Sequence, residues 1–103
     1  MLSKKFRLSR KQIGLIYKRG RRFSADGLSI KCLANNLGYS RFAVNVPTKV
    51  SKKATERNRI RRIIYDEIGK SKPSGSGDCL INIYNKTDEA LLRAKIKKIC
   101  ANL

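Results

Sequence analysis

The stretch SKKATERNRIRRIIYDEI, residues 51–68, decides how this chain folds. Placed on a helix at about 100° per residue, it separates into two sides. The apolar side carries four isoleucines: Ile60, Ile63, Ile64 and Ile68. The opposite side carries a different set: Arg57, Asn58, Arg61, Arg62 and Tyr65. The pattern predicts a helix from Lys52 to Ile68, ended by Gly69, whose isoleucines pack on a sheet.

The basic side of this helix is a candidate surface for a polyanion. Between Lys49 and Arg62 the chain has seven basic residues and one acidic residue, Glu56. A solvated helix face, the plainer interpretation of a charge run, normally alternates in sign. Arginine side chains suit bidentate contact with phosphate and also stack on bases. We therefore expect a phosphate-rich partner here, with Lys52 and Lys53 running into the start of the helix.

The length and the charge of the chain limit the number of domains and the kinds of partner that are expected. A length of 103 residues, 41% of them hydrophobic, is enough for one small domain, 1–103. With 25 basic and 7 acidic residues the net charge is +18, and a partner is expected to relieve the self-repulsion. An anionic membrane or an acidic protein would also do so. Clustered basic residues, four tyrosines and three phenylalanines favour nucleic acid.

Several kinds of protein and site are not expected. No apolar run approaches the length of a membrane span or a signal peptide, so we expect a cytoplasmic protein. Cys32, Cys79 and Cys100 are widely separated, which argues against a disulfide framework or a zinc site. Cys32 and Cys79 are most simply small core residues. The chain has no histidine for acid–base or nucleophilic catalysis, and its scattered carboxylates form no evident metal cluster.

Periodicity and turn residues predict the remaining helices and strands. A first helix runs from the cap Ser9 to Arg19, with Gly20 as its stop. A last helix, capped by Thr87 or Asp88, runs to about Ala101. The predicted segments between the helices are strands at about 27–34, 40–46 and 79–84, a hairpin turn at 35–38, a candidate edge strand at 48–50 and a flexible loop at 71–77. The order predicts an α+β fold, a two-layer αβββαβα sandwich.

The segment ATERNRIRR, Ala54 to Arg62, resembles the Arg-Asn-Arg signature of the bacterial ribonuclease P protein subunit. As in that family, Arg57-Asn58-Arg59 is followed by an aliphatic residue, a basic residue and an arginine. Weaker similarities cover nearly the whole chain: Phe6-Arg7-Leu8, Ile16 to Gly20 with Phe23, Ser40-Arg41-Phe42 and Gly77-Asp78. The resemblance implies a ribosomal-protein-like domain with a left-handed β-α-β crossover, whereas the general rule predicts a right-handed one.

This resemblance also implies a function. The family binds a catalytic RNA to form ribonuclease P, the endoribonuclease that removes the 5′ leader of precursor tRNA by phosphodiester hydrolysis. The RNA holds the catalytic Mg²⁺, and the protein contributes no catalytic side chain and binds no cofactor by itself. The positions implied on the catalytic RNA are Lys49, Lys52, Lys53, Arg57, Asn58, Arg59, Arg61 and Arg62. The positions implied in the cleft that receives the leader are Phe6, Arg7, Ile13, Tyr17, Phe23 and Arg41.

Some residues depart from the family pattern, and other functions stay open. Ile13 stands where the family generally has an aromatic residue, and Pro47-Thr48 replaces small and basic residues. Core packing is the plainer interpretation of Tyr17 and Phe23. The first alternative function is a ribosomal or other structural RNA-binding protein without a role in tRNA cleavage. A metal-dependent nuclease and a DNA-binding module are further alternatives, although no helix-turn-helix spacing is visible and DNA is not an expected partner.

Overall fold

The helices and strands of the computed structural model follow the predicted order. The structure describes residues 7–25, 28–71, 76–85 and 88–101. Its helices are α1 (Arg10–Arg19), α2 (Ala54–Ser71) and α3 (Glu89–Ala101). Its strands are β1 (Arg21–Ala25), β2 (Leu28–Ala34), β3 (Arg41–Asn45) and β4 (Gly77–Ile83). The α+β class is therefore confirmed; Phe6, Thr87 and the centre of the predicted loop, 72–75, lie outside the described residues.

The four strands form one sheet in the order β1-β2-β4-β3. β2 pairs antiparallel with both β1 and β4, whereas β3 pairs parallel with β4. The path β3-α2-β4 is therefore a parallel crossover, whose left hand stays a prediction from the resemblance. The predicted hairpin at 35–38 is wrong, because β4 lies between β2 and β3. Gly38 has φ of 80°, so the segment does turn, but it carries the chain to the far edge of the sheet.

Two further strand predictions are corrected by the structure. β1 is a strand that the sequence pattern does not predict; its residues Arg21 and Arg22 pair with Cys32 and Lys31 of β2. Its basic residues suit an edge strand, where one side of the backbone stays free. The candidate edge strand at 48–50 is a turn, in which the Val50 backbone N–H donates to the Pro47 carbonyl at 3.0 Å. The proline lacks the backbone donor that a continuing strand would need.

The main core lies between the sheet and the helices α2 and α3. Alternate residues of β4, Cys79, Ile81 and Ile83, pack there with the four isoleucines predicted on α2. A smaller cluster of Ile16, Ala43 and Leu80 holds α1 against the other face of the sheet. The predicted two-layer sandwich describes the sheet with α2 and α3. α1 adds a partial third layer.

The helix ends show how local signals and packing compete. Ser9 caps α1 as predicted, and it forms a capping box with Gln12, because the two residues exchange hydrogen bonds of 2.7 and 3.4 Å. At Gly20 a Cβ atom would lie 2.6 Å from the Ile16 carbonyl oxygen, so only glycine fits. Asp88 caps α3, since its carboxylate accepts from the Leu91 backbone N–H at 3.2 Å.

The predicted stop at Gly69 is wrong, because α2 continues to Ser71. A glycine inside a helix costs about 1 kcal/mol relative to alanine. Ile68 is only 1% exposed, and burial of such a side chain contributes roughly 1.5–3 kcal/mol. Tertiary packing therefore outweighs the local signal at this position. At the other end the helix begins at Ala54 rather than Lys52.

Candidate nucleic-acid interface

The first half of α2 presents a compact basic surface. It consists of four residues, which we call the α2 basic surface: Arg57, Asn58, Arg61 and Arg62. The Arg57 Nη1 atom donates to the Ser51 carbonyl at 2.9 Å, and the Arg61 Nη1 atom donates to the Asn58 Oδ1 atom at 2.7 Å. Asn58 and Arg62 are exposed. These contacts orient two guanidinium groups and leave further N–H donors on each for phosphate.

Three lysines extend this surface toward the turn before α2. Lys49, Lys52 and Lys53 are all exposed. The one acidic residue of the segment, Glu56, is held by the Ser51 hydroxyl at 3.0 Å. Glu56 lines a groove between α2 and α3 together with Asp88 and Glu89. Its carboxylate therefore belongs to the α3 side of the helix, and it does not break up the basic surface.

Arg59 lies on the other flank of α2, although the signature motif includes it. Its Nη2 atom is 3.2 Å from the Glu89 Oε1 atom on α3. Arg93 of α3 continues the network, with contacts of 2.9 Å to Asp66 and 3.3 Å to Glu89. Hydrogen bonds from Arg93 and Lys70 lower the pKa of the Asp66 carboxyl. This flank is balanced in charge, which distinguishes it from the α2 basic surface.

Tyr65 and Arg7 lie at the outer edge of β3, next to the α2 basic surface. Tyr65 is half-buried against the main core rather than on an open basic side, and burial raises its pKa. The nearby charges of Arg7 and Arg61 act in the opposite direction. Arg7 forms a parallel bridge with Phe42, and its buried Nε atom has no hydrogen-bond partner within the described part of the chain. Arg7 is therefore placed beside α2 rather than beneath α1.

A second candidate surface lies on the sheet beyond the end of α1. Six residues form it, and we call it the polar face: Tyr17, Ser29, Lys31, Asn45, Asn82 and Tyr84. Ser29, Asn82 and Asn45 occupy one row across the sheet, since each is paired with the next in the strand register. The Asn45 side-chain amide donates to the Asn82 Oδ1 atom at 3.1 Å. This row forms a polar floor where the apolar cluster under α1 ends.

Two half-exposed tyrosine rings stand over this floor. Tyr17 is 50% exposed and Tyr84 is 48% exposed. Their hydroxyl oxygens lie 3.5 Å from the Asn82 Oδ1 atom and 2.8 Å from the Ser29 Oγ atom, respectively. Each ring also has a cation near it: the Lys31 Nζ atom is 5.2 Å from the centre of the Tyr17 ring, and the Arg22 Nη2 atom is 3.4 Å from the Tyr84 hydroxyl. Rings and cations so placed suit a single-stranded nucleic acid.

Sequence reasoning selected only one member of the polar face, Tyr17. Ser29 and Lys31 fall within the strand predicted at about 27–34, but the antiparallel register that pairs Ser29 with Asn82 follows from the sheet and not from the sequence. Tyr84 was treated only as the end of an apolar strand. The alternation of polar residues along β2, together with a polar Asn82 inside the apolar β4, was the signal that pointed to this side of the sheet.

The remaining residues expected in the cleft have different surroundings. Ile13 is half-buried and packs against the small cluster under α1. Arg41 is bound to Asp78 by two hydrogen bonds of 2.8 and 2.7 Å, which raise the pKa of its guanidinium. Phe23 pairs with Ile30 in the strand register, and its side chain, like Phe6, lies outside the described residues.

The described residues include no group of three or more acidic or cysteine side chains placed to hold a metal ion. None of the helices within them is long and apolar enough to cross a lipid bilayer.

Solved structures share this fold. The RNase P protein from Thermotoga maritima superposes with a TM-score of 0.84 over 94% of this chain and 96% of that protein, at 22% identity. A mutant RNase P protein from Staphylococcus aureus, described as defective in mRNA degradation activity, gives a TM-score of 0.74 at 19% identity over 96% of this chain and 85% of that protein. At these identities the likeness concerns the fold.

Sequence comparison gives the family. The Ribonuclease P protein component of Synechocystis sp. is 39% identical over 59 residues, which cover 56% of this chain and 48% of that protein. The corresponding protein of Synechococcus sp. is 39% identical over 62 residues, covering 50% of this chain and 49% of its own length. The matches thus span about half the length of these relatives. The model of the Ribonuclease P family matches residues 2–103. The chain therefore belongs to the Ribonuclease P family.

Proposed function

We propose that this chain is the protein subunit of ribonuclease P, acting in the cytoplasm as one RNA-binding domain. It binds the catalytic RNA through the α2 basic surface and the preceding lysines. It receives the 5′ leader of precursor tRNA on the polar face and assists endonucleolytic removal of that leader. The observation that carries the proposal is the α2 basic surface, which carries the polar residues of the family signature other than Arg59 and which no carboxylate of the described residues neutralises.

The polar face supports the second half of the proposal. A leader is single-stranded, so its bases are unstacked and its backbone is charged. Base stacking on an aromatic ring contributes about 1–3 kcal/mol per base and does not depend on the sequence. Tyr17 and Tyr84 offer such rings, and Lys31 and Arg22 stand beside them for the backbone. A surface of this kind holds different leaders without reading their sequence.

The edge strand β3 connects the two surfaces. Asn45 lies on the polar face, while Tyr65 approaches the backbone of β3 from α2. Arg7 lies at this edge, where it is bridged to Phe42. We infer that the nucleic acid passes over the outer edge of β3, with Arg7 between the catalytic RNA and the leader.

The protein's part in the reaction is binding and orientation. In the proposed complex the RNA holds the Mg²⁺ that hydrolysis requires. The carboxylates on α2 and beside it already have partners within the protein. Asp66 and Glu89 contact Arg93, and Glu56 contacts Ser51. The basic side chains neutralise phosphate charge, so the RNA needs less Mg²⁺ to reach its active structure.

The test is cleavage of precursor tRNA at low Mg²⁺ with bacterial ribonuclease P RNA alone, protein alone, and both. We expect cleavage at the mature 5′ end only when both are present. Arg61→Ala/Arg62→Ala should reduce it strongly, whereas Lys97→Ala/Lys98→Ala on α3 removes the same charge and should not. A protein that binds the RNA without any effect on cleavage would instead be a structural RNA-binding protein. Cleavage by the protein alone would make it a nuclease.

A further inference from the structure

Two cysteine thiols meet across the centre of the sheet. Cys32 of β2 and Cys79 of β4 are direct partners in the antiparallel register, and their Sγ atoms are 2.7 Å apart. Both thiols are free, and both side chains adjoin the main core. RNA binding as described above uses neither of them.

The backbone geometry at this position suits a disulfide bond. Directly opposed residues of an antiparallel pair have Cα atoms about 4.5 or 5.5 Å apart, and both separations fall within the range found for disulfides. The sulfur atoms need to approach by only about 0.7 Å to reach the bond length of a disulfide. The strands already hold the two side chains on the same face of the sheet, so forming the bond costs little further conformational entropy.

The two thiols differ in a way that assigns their roles. Cys32 is half-buried and Cys79 is buried. The hydrogen bond to Cys79 lowers the pKa of Cys32, whereas the same bond and burial raise the pKa of Cys79. Cys32 is therefore the attacking thiol and Cys79 the resolving one.

We propose that Cys32 and Cys79 form a reversible oxidation site, which a peroxide converts into a disulfide that joins β2 to β4. The Cys32 thiolate attacks one oxygen of hydrogen peroxide, the O–O bond breaks, and water and a sulfenic acid result. The Cys79 sulfur then attacks the sulfenic sulfur, the S–O bond breaks, and a second water leaves with the Cys79 proton. Two thiols are oxidised and one peroxide is reduced. Thiol reductants reverse the change.

Cys100 provides an internal comparison. It is buried on α3, and burial raises its pKa to about 11. Its thiol is thus poorly ionised and has no paired sulfur among the described contacts. The proposal predicts that Cys100 remains a thiol while the other two react.

The experiment treats the reduced full chain with hydrogen peroxide, alkylates the remaining thiols and maps the peptides by mass spectrometry. We expect a loss of two hydrogen atoms, a link between the Cys32 and Cys79 peptides, and an alkylated Cys100. Dithiothreitol should reduce the link and restore the Cys32 and Cys79 thiols. Unlinked sulfinic acid at Cys32, a link from Cys79 to Cys100, or a link between two chains would each overturn the proposal.

Variants provide the second measurement. Cys32→Ser replaces the more exposed thiol and should fold, but it should form no intramolecular link; Cys100→Ser should form the link as the wild type does. The link closes a long loop of the unfolded chain, so oxidation should raise the unfolding midpoint of the wild type by about 8–30 °C. The same rise in Cys32→Ser would contradict the assignment.

Discussion

Arg41 and Asp78 are directly paired across β3 and β4, and the guanidinium lies on the carboxylate through two hydrogen bonds of 2.8 and 2.7 Å. The side chains are only 18% and 11% exposed. Asn35 donates a third hydrogen bond to the same carboxylate at 2.8 Å. The Arg41 charge is thus satisfied inside the fold, and we infer that Arg41 fixes the junction of the sheet with the loop 35–40 rather than holding a leader phosphate.

Replacement of Arg41 by alanine should therefore act on stability. It leaves Asp78 nearly buried with one donor instead of three, which should lower the free energy of unfolding by about 2–3 kcal/mol. The measurement is urea unfolding, with the exposed Arg62→Ala as a control expected to stay within about 0.5 kcal/mol of the wild type. Unchanged stability with a selective loss of precursor tRNA binding would instead indicate that Arg41 contacts the leader.

The two flanks of α2 should respond differently to loss of an arginine. Arg62→Ala removes an exposed cation from the α2 basic surface and should weaken binding of the catalytic RNA about tenfold and lower its salt dependence. Arg59→Ala removes a cation that already faces Glu89, so its effect should be smaller. The measurement is the dissociation constant of the RNA complex at several salt concentrations. An equal loss for both variants would place the RNA across both flanks.

Tyr17 should discriminate between precursor and mature tRNA. Tyr17→Ala removes a half-exposed ring from the polar face, so the assembled complex should lose about tenfold in affinity for precursor tRNA, the value of one stacked base. Affinity for mature tRNA should not change. Leu15→Ala on the same helix is the matched control, because Leu15 is 44% exposed without belonging to the polar face. Equal losses for both tRNAs would mean that this ring does not hold the leader.

Acid stability should depend on Asp66. Hydrogen bonds from Arg93 and Lys70 lower its pKa in the folded protein below the ordinary value of 3.8. Because the folded-state pKa is the lower one, this carboxylate stabilises the protein above pH 3.8, and the contribution is lost as the pH falls through the folded-state value. Asp66→Asn should lower the urea midpoint at pH 7 and show a weaker decline below pH 4 than the wild type. Parallel pH curves for the two proteins would contradict this.

Much of the fold could be predicted because its causes are local. The isoleucines of α2 recur at helical spacing, and all four are buried in the structure. The capping box of α1 depends on two residues three positions apart, and it forms as expected. Three arginines of the signature segment, Arg57, Arg61 and Arg62, lie with Asn58 on the side opposite those isoleucines, so helical geometry alone brought these four residues together.

The sequence by itself determined the helices, the apolar sides of the elements and the basic side of α2, because each depends on residues a few positions apart. Only the tertiary structure decided which strands are neighbours, since β4 enters between β2 and β3 from a distant part of the chain. That insertion places Asn82 beside Ser29, Cys79 beside Cys32 and Asp78 beside Arg41. Strand order is a matter of burial: the continuous apolar run of β4 gains most at the centre of the sheet, where both of its faces are covered.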